Sequence, residues 1–203
     1  ASWKSLSELG VGGGGENGGF WSQSGNNLFT QNQNWNVGIG TDNPQHKLDI
    51  DGKIAIKGVQ MLHYPANNGN FEGTLVVGTG GQNLRGTGLS GGYNTLVGIG
   101  SGYSNTTGVA NSTLGFESLT SNTEGSFNVS IGFRSLYRNT LGSGNIAIGR
   151  GSLNSVTTSS SNTAIGDMSG ESLISGSGGN TFVGAKSGRG ITSGGDNTVV
   201  GSN

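Results

Sequence analysis

The chain contains no cysteine, only two prolines and two histidines, and charged residues make up 10% of its 203 residues. The lack of cysteine excludes disulfide bonds and thiolate metal sites, although it does not decide the cellular compartment. With a net charge of −1 and no cluster of Lys and Arg, nothing favours binding to nucleic acid. No apolar run approaches the roughly 18 residues of a membrane-spanning helix, so we expect no membrane insertion.

Residues suited to catalysis or to metal binding are equally scarce. His46 and His63 are isolated, and the closest carboxylates within the repeats are Asp167 and Glu171. No Ser-His-Asp set and no cleft with two carboxylates is suggested. We therefore predict a protein that is not an enzyme and that has no cofactor and no metal site.

Glycine, by contrast, accounts for 43 residues, about three times its average share, and it recurs in a fixed pattern. A pentapeptide of the form Asn-x-x-aliphatic-Gly occurs seven times, at steps of 17, 17, 17, 17, 18 and 17 residues. A fixed short period is typical of a repeat architecture in which each unit stacks on its neighbours. The pentapeptides begin at Asn94, Asn111, Asn128, Asn145, Asn162, Asn180 and Asn197.

Numbering each of these Asn residues as position zero shows which columns of the repeat are constant. Position three is always aliphatic, position four is always Gly, and position seven is Ser in every complete coil. Because side chains alternate across a strand, we predict that position three, including Ile148, faces the interior and that position two, including Ala164, faces outward. A second short strand is expected around position eight, with residues such as Leu136 inward, followed by an Asn-Thr-x-Gly corner, as at 105–108.

These columns predict an all-β fold, a parallel β-solenoid (β-roll) of about seven 17-residue coils. A helix is excluded because no stripe with a 3.6-residue period survives so many glycines. The Asn column predicts a ladder of stacked amides. One coil carries few inward apolar residues, and burial contributes only roughly 25 cal/mol per Å². We therefore expect the rod to self-associate through the position-two column, with a parallel trimer as the expected closed form.

Outside the clean repeats, the alternation of apolar residues predicts further strands. Over 48–56 it predicts a hairpin with a three-residue turn, in which Ile50 lies opposite Ile54. The sequence TLVVG at 74–78 looks like a degenerate first rung of the solenoid. Three regions are thus predicted: a Gly/Asn/Trp-rich N-terminal segment at 1–35, a β-rich leading segment with an irregular first rung at 36–92, and β-solenoid repeats at 93–203.

Two motifs are similar to those of a known group of proteins. NVGIGTDNPQHKLDIDG at 36–52 and the NTAIG-x-x-SL-x-x-NT-x-G repeat at 94–201 resemble segments of phage tail-fibre-like and bacterial surface fibre proteins. More distantly, the repeat resembles the YadA-like heads of trimeric autotransporter adhesins. The resemblance covers about 36–203 and implies a left-handed β-roll packed as a parallel homotrimer. Fibres of this kind often carry a chaperone after the repeats, so we expect a further part beyond Asn203.

The resemblance implies a non-enzymatic fibre segment for attachment, located outside the cell on a virion, a secreted particle or a cell surface. Its partners would be copies of itself and a host-surface glycan or protein. Two alternatives stay open. One is an extracellular structural filament, and the other is an ice- or surface-binding solenoid that uses the Thr column at 106, 123, 140 and 157.

Candidate contact residues are those that vary from coil to coil, at positions five, six and nine. Variable side chains on a rigid scaffold are where recognition commonly resides, and aromatic and Arg residues most often anchor interfaces. An open alternative is that Phe116 and Phe133 pack between neighbouring chains. The candidates are Phe116, Phe133, Arg134, Tyr137, Trp21 and Trp35.

Overall fold

The structure is a computed structural model, and within the described residues it consists of strands and turns without any helix. This confirms the all-β prediction. The chain divides into two compact units, residues 1–51 and 52–203. The described residues are 21–24, 27–30, 37–39, 45, 48–50, 53–56, 59–63, 73–84, 90–176 and 178–202.

The described residues of the first unit form two small two-stranded sheets. Strands β1 (Trp21–Ser24) and β2 (Asn27–Thr30) pair antiparallel, whereas β3 (Val37–Ile39) and β4 (Leu48–Ile50) pair parallel. The hairpin predicted over 48–56 is therefore wrong. Leu48 and Ile50 instead lie opposite the apolar residues of β3, a pairing that alternation within one strand could not reveal.

The second unit is built on one ten-stranded sheet in which the strands follow one another in chain order. The first two strands form an antiparallel hairpin that also pairs antiparallel with the third, and all later pairings are parallel. The strands are β5 (Lys53–Ile56), β6 (Val59–His63), β7 (Leu75–Val77), β8 (Thr95–Val97), β9 (Ser112–Leu114), β10 (Val129–Ile131), β11 (Ile146–Ile148), β12 (Thr163–Ile165), β13 (Thr181–Val183) and β14 (Thr198–Val200).

The eight parallel strands β7–β14 form a β-solenoid, as predicted from the repeat. Each residue lies opposite the residue at the same position of the next coil, so that Ile131 pairs with Ile148 and Ile148 with Ile165. Strand β7 is the degenerate first rung, because Val76 lies opposite Leu96 in the same register. The left-handed coil and the trimer stay predictions.

The orientation of the strands is the reverse of the predicted one. Position two faces the interior and is buried in every coil from Leu96 to Phe182. Position three is half-buried or exposed, with Leu114 at 52% and Ile165 at 41% of their full exposure. The interior is narrow, so its column holds side chains of varied and often small size, whereas the uniformly aliphatic column lies outside.

The segment around position eight is a series of turns, so the predicted second strand is wrong. The predicted inward leucines are nevertheless buried, as Leu136 illustrates. Leu136 has a φ of 47° and Arg134 a φ of 54°, so both residues adopt the left-handed conformation. The chain cannot be extended here for that reason. The coil that begins at Asn94 carries Gly100 and Gly102 at these two positions, also with positive φ.

The interior is filled by complementary residues at positions two and eight of the same coil. Leu153 at position eight accompanies the small Ala147 at position two, and both are buried. Where position two is large, position eight is Gly. A Cβ on Gly102 would lie 2.9 Å from Cδ2 of Leu96, and one on Gly188 would lie 2.4 Å from Cδ1 of Phe182. No coil carries a large side chain at both positions, and in the coil of Ala164 and Gly170 the space is filled by Phe182 of the next coil, whose Cδ2 would lie 2.6 Å from a Cβ on Gly170.

The Asn residues at position zero form the predicted amide ladder along the stack. Oδ1 of Asn128 accepts hydrogen bonds from the backbone N–H of Asn145 (3.0 Å) and from its Nδ2 (3.2 Å). Nδ2 of Asn145 also donates to the carbonyl of Ser159 at 3.0 Å, which ties the strand to the last corner of its own coil. Only an amide supplies both the acceptor and the two donors that this buried position requires.

A shorter second ladder runs through Asn105, Asn122 and Asn139 at position eleven. Each Nδ2 donates to a carbonyl of its own Asn-Thr-x-Gly corner, and Nδ2 of Asn139 also donates to Oδ1 of Asn122 at 2.8 Å. The next coil has Val156 in this column. Oδ1 of Asn139 consequently has no hydrogen-bond partner within the described residues.

Ala164→Glu should unfold the solenoid, because it places an unpaired carboxylate in the buried column at a cost of several kcal/mol. The matched control is Ile165→Glu, one residue further along the same strand on the exposed column. Circular dichroism melting should show a large loss for Ala164→Glu and a smaller one for Ile165→Glu. Equal losses would contradict the assignment of the two columns.

Leu96→Ala and Gly102→Leu should each destabilise the fold but should partly compensate each other when combined. The first leaves a cavity worth about 2–5 kcal/mol, and the second overpacks the same space by about 1–3 kcal/mol. Together they recreate the Ala147 and Leu153 pair of another coil. Denaturant unfolding of the four proteins measures the coupling, and strictly additive losses would refute shared filling of the core.

Candidate surface site

The variable positions five, six and nine lie on the turns that follow the invariant Gly corner. That corner requires glycine, since Gly115 has a φ of 147° and an added Cβ would lie 2.5 Å from the carbonyl oxygen of Gly132. The chain then leaves the sheet and presents its varying side chains outside the core. These turns are held from rung to rung by backbone hydrogen bonds, such as Arg134 N–H to the carbonyl of Phe116 at 3.0 Å.

Four of the predicted contact residues come together on two adjacent rungs. The rings of Phe116 and Phe133 are stacked, with centroids 5.6 Å apart and planes inclined by 8°. The guanidinium carbon of Arg134 lies 5.1 Å from the ring centroid of Phe133 and 5.2 Å from that of Tyr137. We call Phe116, Glu117, Phe133, Arg134 and Tyr137 the aromatic–arginine cluster.

Glu117 is a member of the cluster that the sequence analysis did not select. Its Oε2 accepts a hydrogen bond from Nε of Arg134 at 2.7 Å. Both residues occupy position six, one coil apart. Opposite charges 17 residues apart in one column are the sequence signal that could have identified this pair.

Two more ion pairs follow the same column rule. Arg150 and Asp167 share position five, with Nε to Oδ1 at 2.8 Å and a terminal nitrogen to Oδ2 at 2.9 Å. Arg189 and Glu171 share position nine, with nitrogen and oxygen 3.2 Å apart. The hydrogen bond from Arg150 lowers the pKa of Asp167 below its ordinary value, and the same contact raises the pKa of Arg150.

The remaining candidates, Trp21 and Trp35, belong to the N-terminal part of the chain. Trp21 begins β1 in the first unit, whereas Trp35 lies outside the described residues. The Thr column serves the fold, because the hydroxyl of Thr106 donates to the carbonyl of Thr123 at 2.8 Å, and that of Thr123 donates to the carbonyl of Thr140 at 3.1 Å.

In the part of the chain that the structure describes, no group of three or more His, Asp or Glu side chains could hold a metal ion. No helix long and apolar enough to cross a membrane occurs in the same residues. Comparisons with protein-family models, with curated proteins and with solved structures give no match to this chain.

Arg150→Gln should raise the pKa of Asp167 toward its ordinary value, because it removes the hydrogen bond that lowers it. The pair stabilises the folded state above the pKa of an unfolded Asp, and this stabilisation is lost as the pH falls through the lowered, folded pKa. Titration of the Asp167 carboxyl carbon by NMR in both proteins measures the shift. An unchanged pKa would show that the pair does not form in solution.

Proposed function

We propose that the chain is a segment of a trimeric, non-enzymatic fibre that works in attachment outside the cell. The fibre would belong to a phage tail, a contractile injection particle or a cell surface. Its partners would be two further copies of the chain and a host-surface glycan or protein, without a role for nucleic acid, cofactor or membrane insertion. The observation that carries the proposal is the uncovered outer face of the parallel sheet, whose position-three column is aliphatic on every rung.

The outer face consists of positions one and three of each rung. One side of this sheet covers the interior of the coil, whereas the other side leaves large aliphatic side chains in contact with solvent. Parallel sheets are ordinarily covered on both faces, and extended apolar patches on a protein surface commonly mark interaction sites. The exposed aliphatic residues of the outer face, with their fractional exposure, include Leu75 (44%), Leu114 (52%), Ile131 (37%), Ile146 (37%), Ile165 (41%) and Val200 (73%).

A second copy of the chain fits this face better than an unrelated protein does. The face repeats with one rung, about 4.8 Å, over the eight strands β7–β14, a length of roughly 34 Å. Only a partner with the same period can match its side chains at every rung, and an identical chain in parallel register has that period. Positions one and three lie at opposite ends of the three-residue strand. Around a three-fold axis, each of these two columns would face a different neighbouring chain.

The attachment role is supported by the cluster on the turns outside the sheet. Phe116 and Phe133 remain 42% and 46% exposed, beside an exposed Arg134. Aromatic and Arg side chains on rigid turns are suited to recognition. The filament alternative predicts end-to-end growth instead, so electron micrographs of the native assembly would distinguish fibres of defined length from filaments without end.

Ile148→Asp should dissociate the trimer and leave the coil folded, because it places charge on the outer face rather than in the interior. Analytical ultracentrifugation should give three times the 20.4 kDa mass of the chain for the native protein and a single chain mass for the variant. Strand content by circular dichroism is expected to persist. Ile148→Val is the conservative control and should keep the trimer.

A native mass of one or two chains would contradict the trimer. An Ile148→Asp variant that keeps the native mass would contradict the use of the outer face, even if the trimer itself exists. The two results therefore test the number of copies and the surface separately.

A further inference from the structure

Arg134 is held in place although 45% of its side chain is exposed. Its guanidinium lies beside the rings of Phe133 and Tyr137, and its Nε donates to Glu117. Its backbone carbonyl accepts a hydrogen bond from Nδ2 of Asn154 at 3.0 Å. A side chain fixed in this way loses little conformational entropy when it binds a ligand.

The terminal amino groups of Arg134 are directed to no acceptor within the described residues, since Nε makes its only side-chain hydrogen bond there. Arg150, one coil further on, is different. Both its Nε and a terminal nitrogen are hydrogen bonded to the carboxylate of Asp167. Arg134 is thus anchored through one nitrogen and retains donors for a ligand, whereas Arg150 is already bound by a carboxylate of its own chain.

The fold does not require this cluster. Position six is left-handed, and Gly100 and Gly151 occupy it in two other coils. Arg134 adopts the same conformation with a φ of 54°, which glycine adopts without steric cost. The Asn hydrogen-bond ladders recur along the stack. An arginine flanked by two aromatic rings, by contrast, occurs once in the described repeats. The left-handed backbone at position six also recurs at Glu117, Met168 and Lys186, so it belongs to the fold, whereas an arginine between two aromatic rings is not needed there.

We propose that the aromatic–arginine cluster binds the carboxylate of an acidic saccharide, an inference that rests on the attachment function proposed above. A planar carboxylate matches the guanidinium donors and forms two parallel hydrogen bonds with them. The ring of Tyr137 offers a flat apolar surface to the C–H face of the sugar. Arg138, four residues on, has no ion pair within the described residues and adds positive charge nearby.

The size of the cluster favours a saccharide over an acidic peptide. It spans two adjacent rungs, roughly 5 Å along the stack, which matches one sugar ring and its carboxylate. An extended peptide would need a longer run of equivalent positions, yet position five changes from Phe133 to Arg150 and position nine from Tyr137 to Asn154 in the next coil. A single charged sugar is therefore the ligand that the geometry fits.

The test compares acidic oligosaccharides with neutral forms of the same sugars on the full 203-residue chain. The probes are trigalacturonate and sialyllactose, each beside its carboxyl-reduced form, with binding measured by biolayer interferometry. The native protein should bind at least one acidic probe tenfold or more tightly than its neutral form. Arg134→Gln should abolish this preference, and Tyr137→Ala should weaken binding of both forms.

Arg150→Gln is the matched control, because it removes an exposed arginine one coil away and should leave both affinities unchanged. Arg134→Lys keeps the charge but loses the planar pair of donors, so it should retain less than a third of the native preference. The mass should stay native in each variant, and the melting temperature should fall by no more than the loss of one exposed ion pair causes. A variant that dissociates the native assembly would instead place the cluster between chains and overturn the proposal.

Three binding results would also overturn it: no preference for either acidic probe, equal effects of Arg134→Gln and Arg150→Gln, or tighter binding of a glutamate-rich peptide than of either saccharide. Binding to neutral saccharides that Arg134→Gln does not change would overturn this site and leave the attachment function intact. Failure of the native protein to bind any saccharide or protein of a host surface would contradict attachment itself.

Discussion

Each residue of the solenoid stacks on the residue at the same position of the next coil, so the two side chains must be compatible with each other. The backbones approach so closely at the corner that a Cβ on Gly149 would lie 2.3 Å from the carbonyl oxygen of Gly166. Buried Asn residues satisfy the constraint, since an amide can donate to one copy and accept from the next. Charges satisfy it by alternating in sign, as Arg150 and Asp167 do. The invariance of some columns and the pairing of others thus have one physical cause.

This constraint explains why much of the fold could be predicted from the sequence. A period of 17 residues, an invariant Gly and a recurring Asn are enough to establish the parallel stack and its amide ladder. The pairing of β4 could not be predicted in the same way, because the first unit has no repeat. Its short strands leave several apolar registers open, and no feature of the sequence selects the parallel one with β3.

The inverted strand orientation has a different origin. Alternation separates two faces but does not say which one is enclosed, and here both are apolar. Because position three is aliphatic in every coil, it is the column that the sequence predicts to be enclosed. Inside this narrow coil, however, the volume is shared between positions two and eight, so that Leu96 accompanies Gly102 and Ala147 accompanies Leu153. Paired variation in size, rather than constancy, is the signature of the enclosed column.

The candidate site was accessible to sequence reasoning because the fold leaves little freedom elsewhere. Phe116, Phe133, Arg134 and Tyr137 were selected as departures from the column pattern, and they form one cluster. Glu117 was missed because its role depends on a neighbour one rung away rather than on its own variability. In a stack where each constant column is explained by contact with itself, we expect any recognition to depend on residues that do not repeat. Since the outer face repeats on every rung and this cluster does not, the first is suited to a partner of the same period and the second to a small ligand at one height.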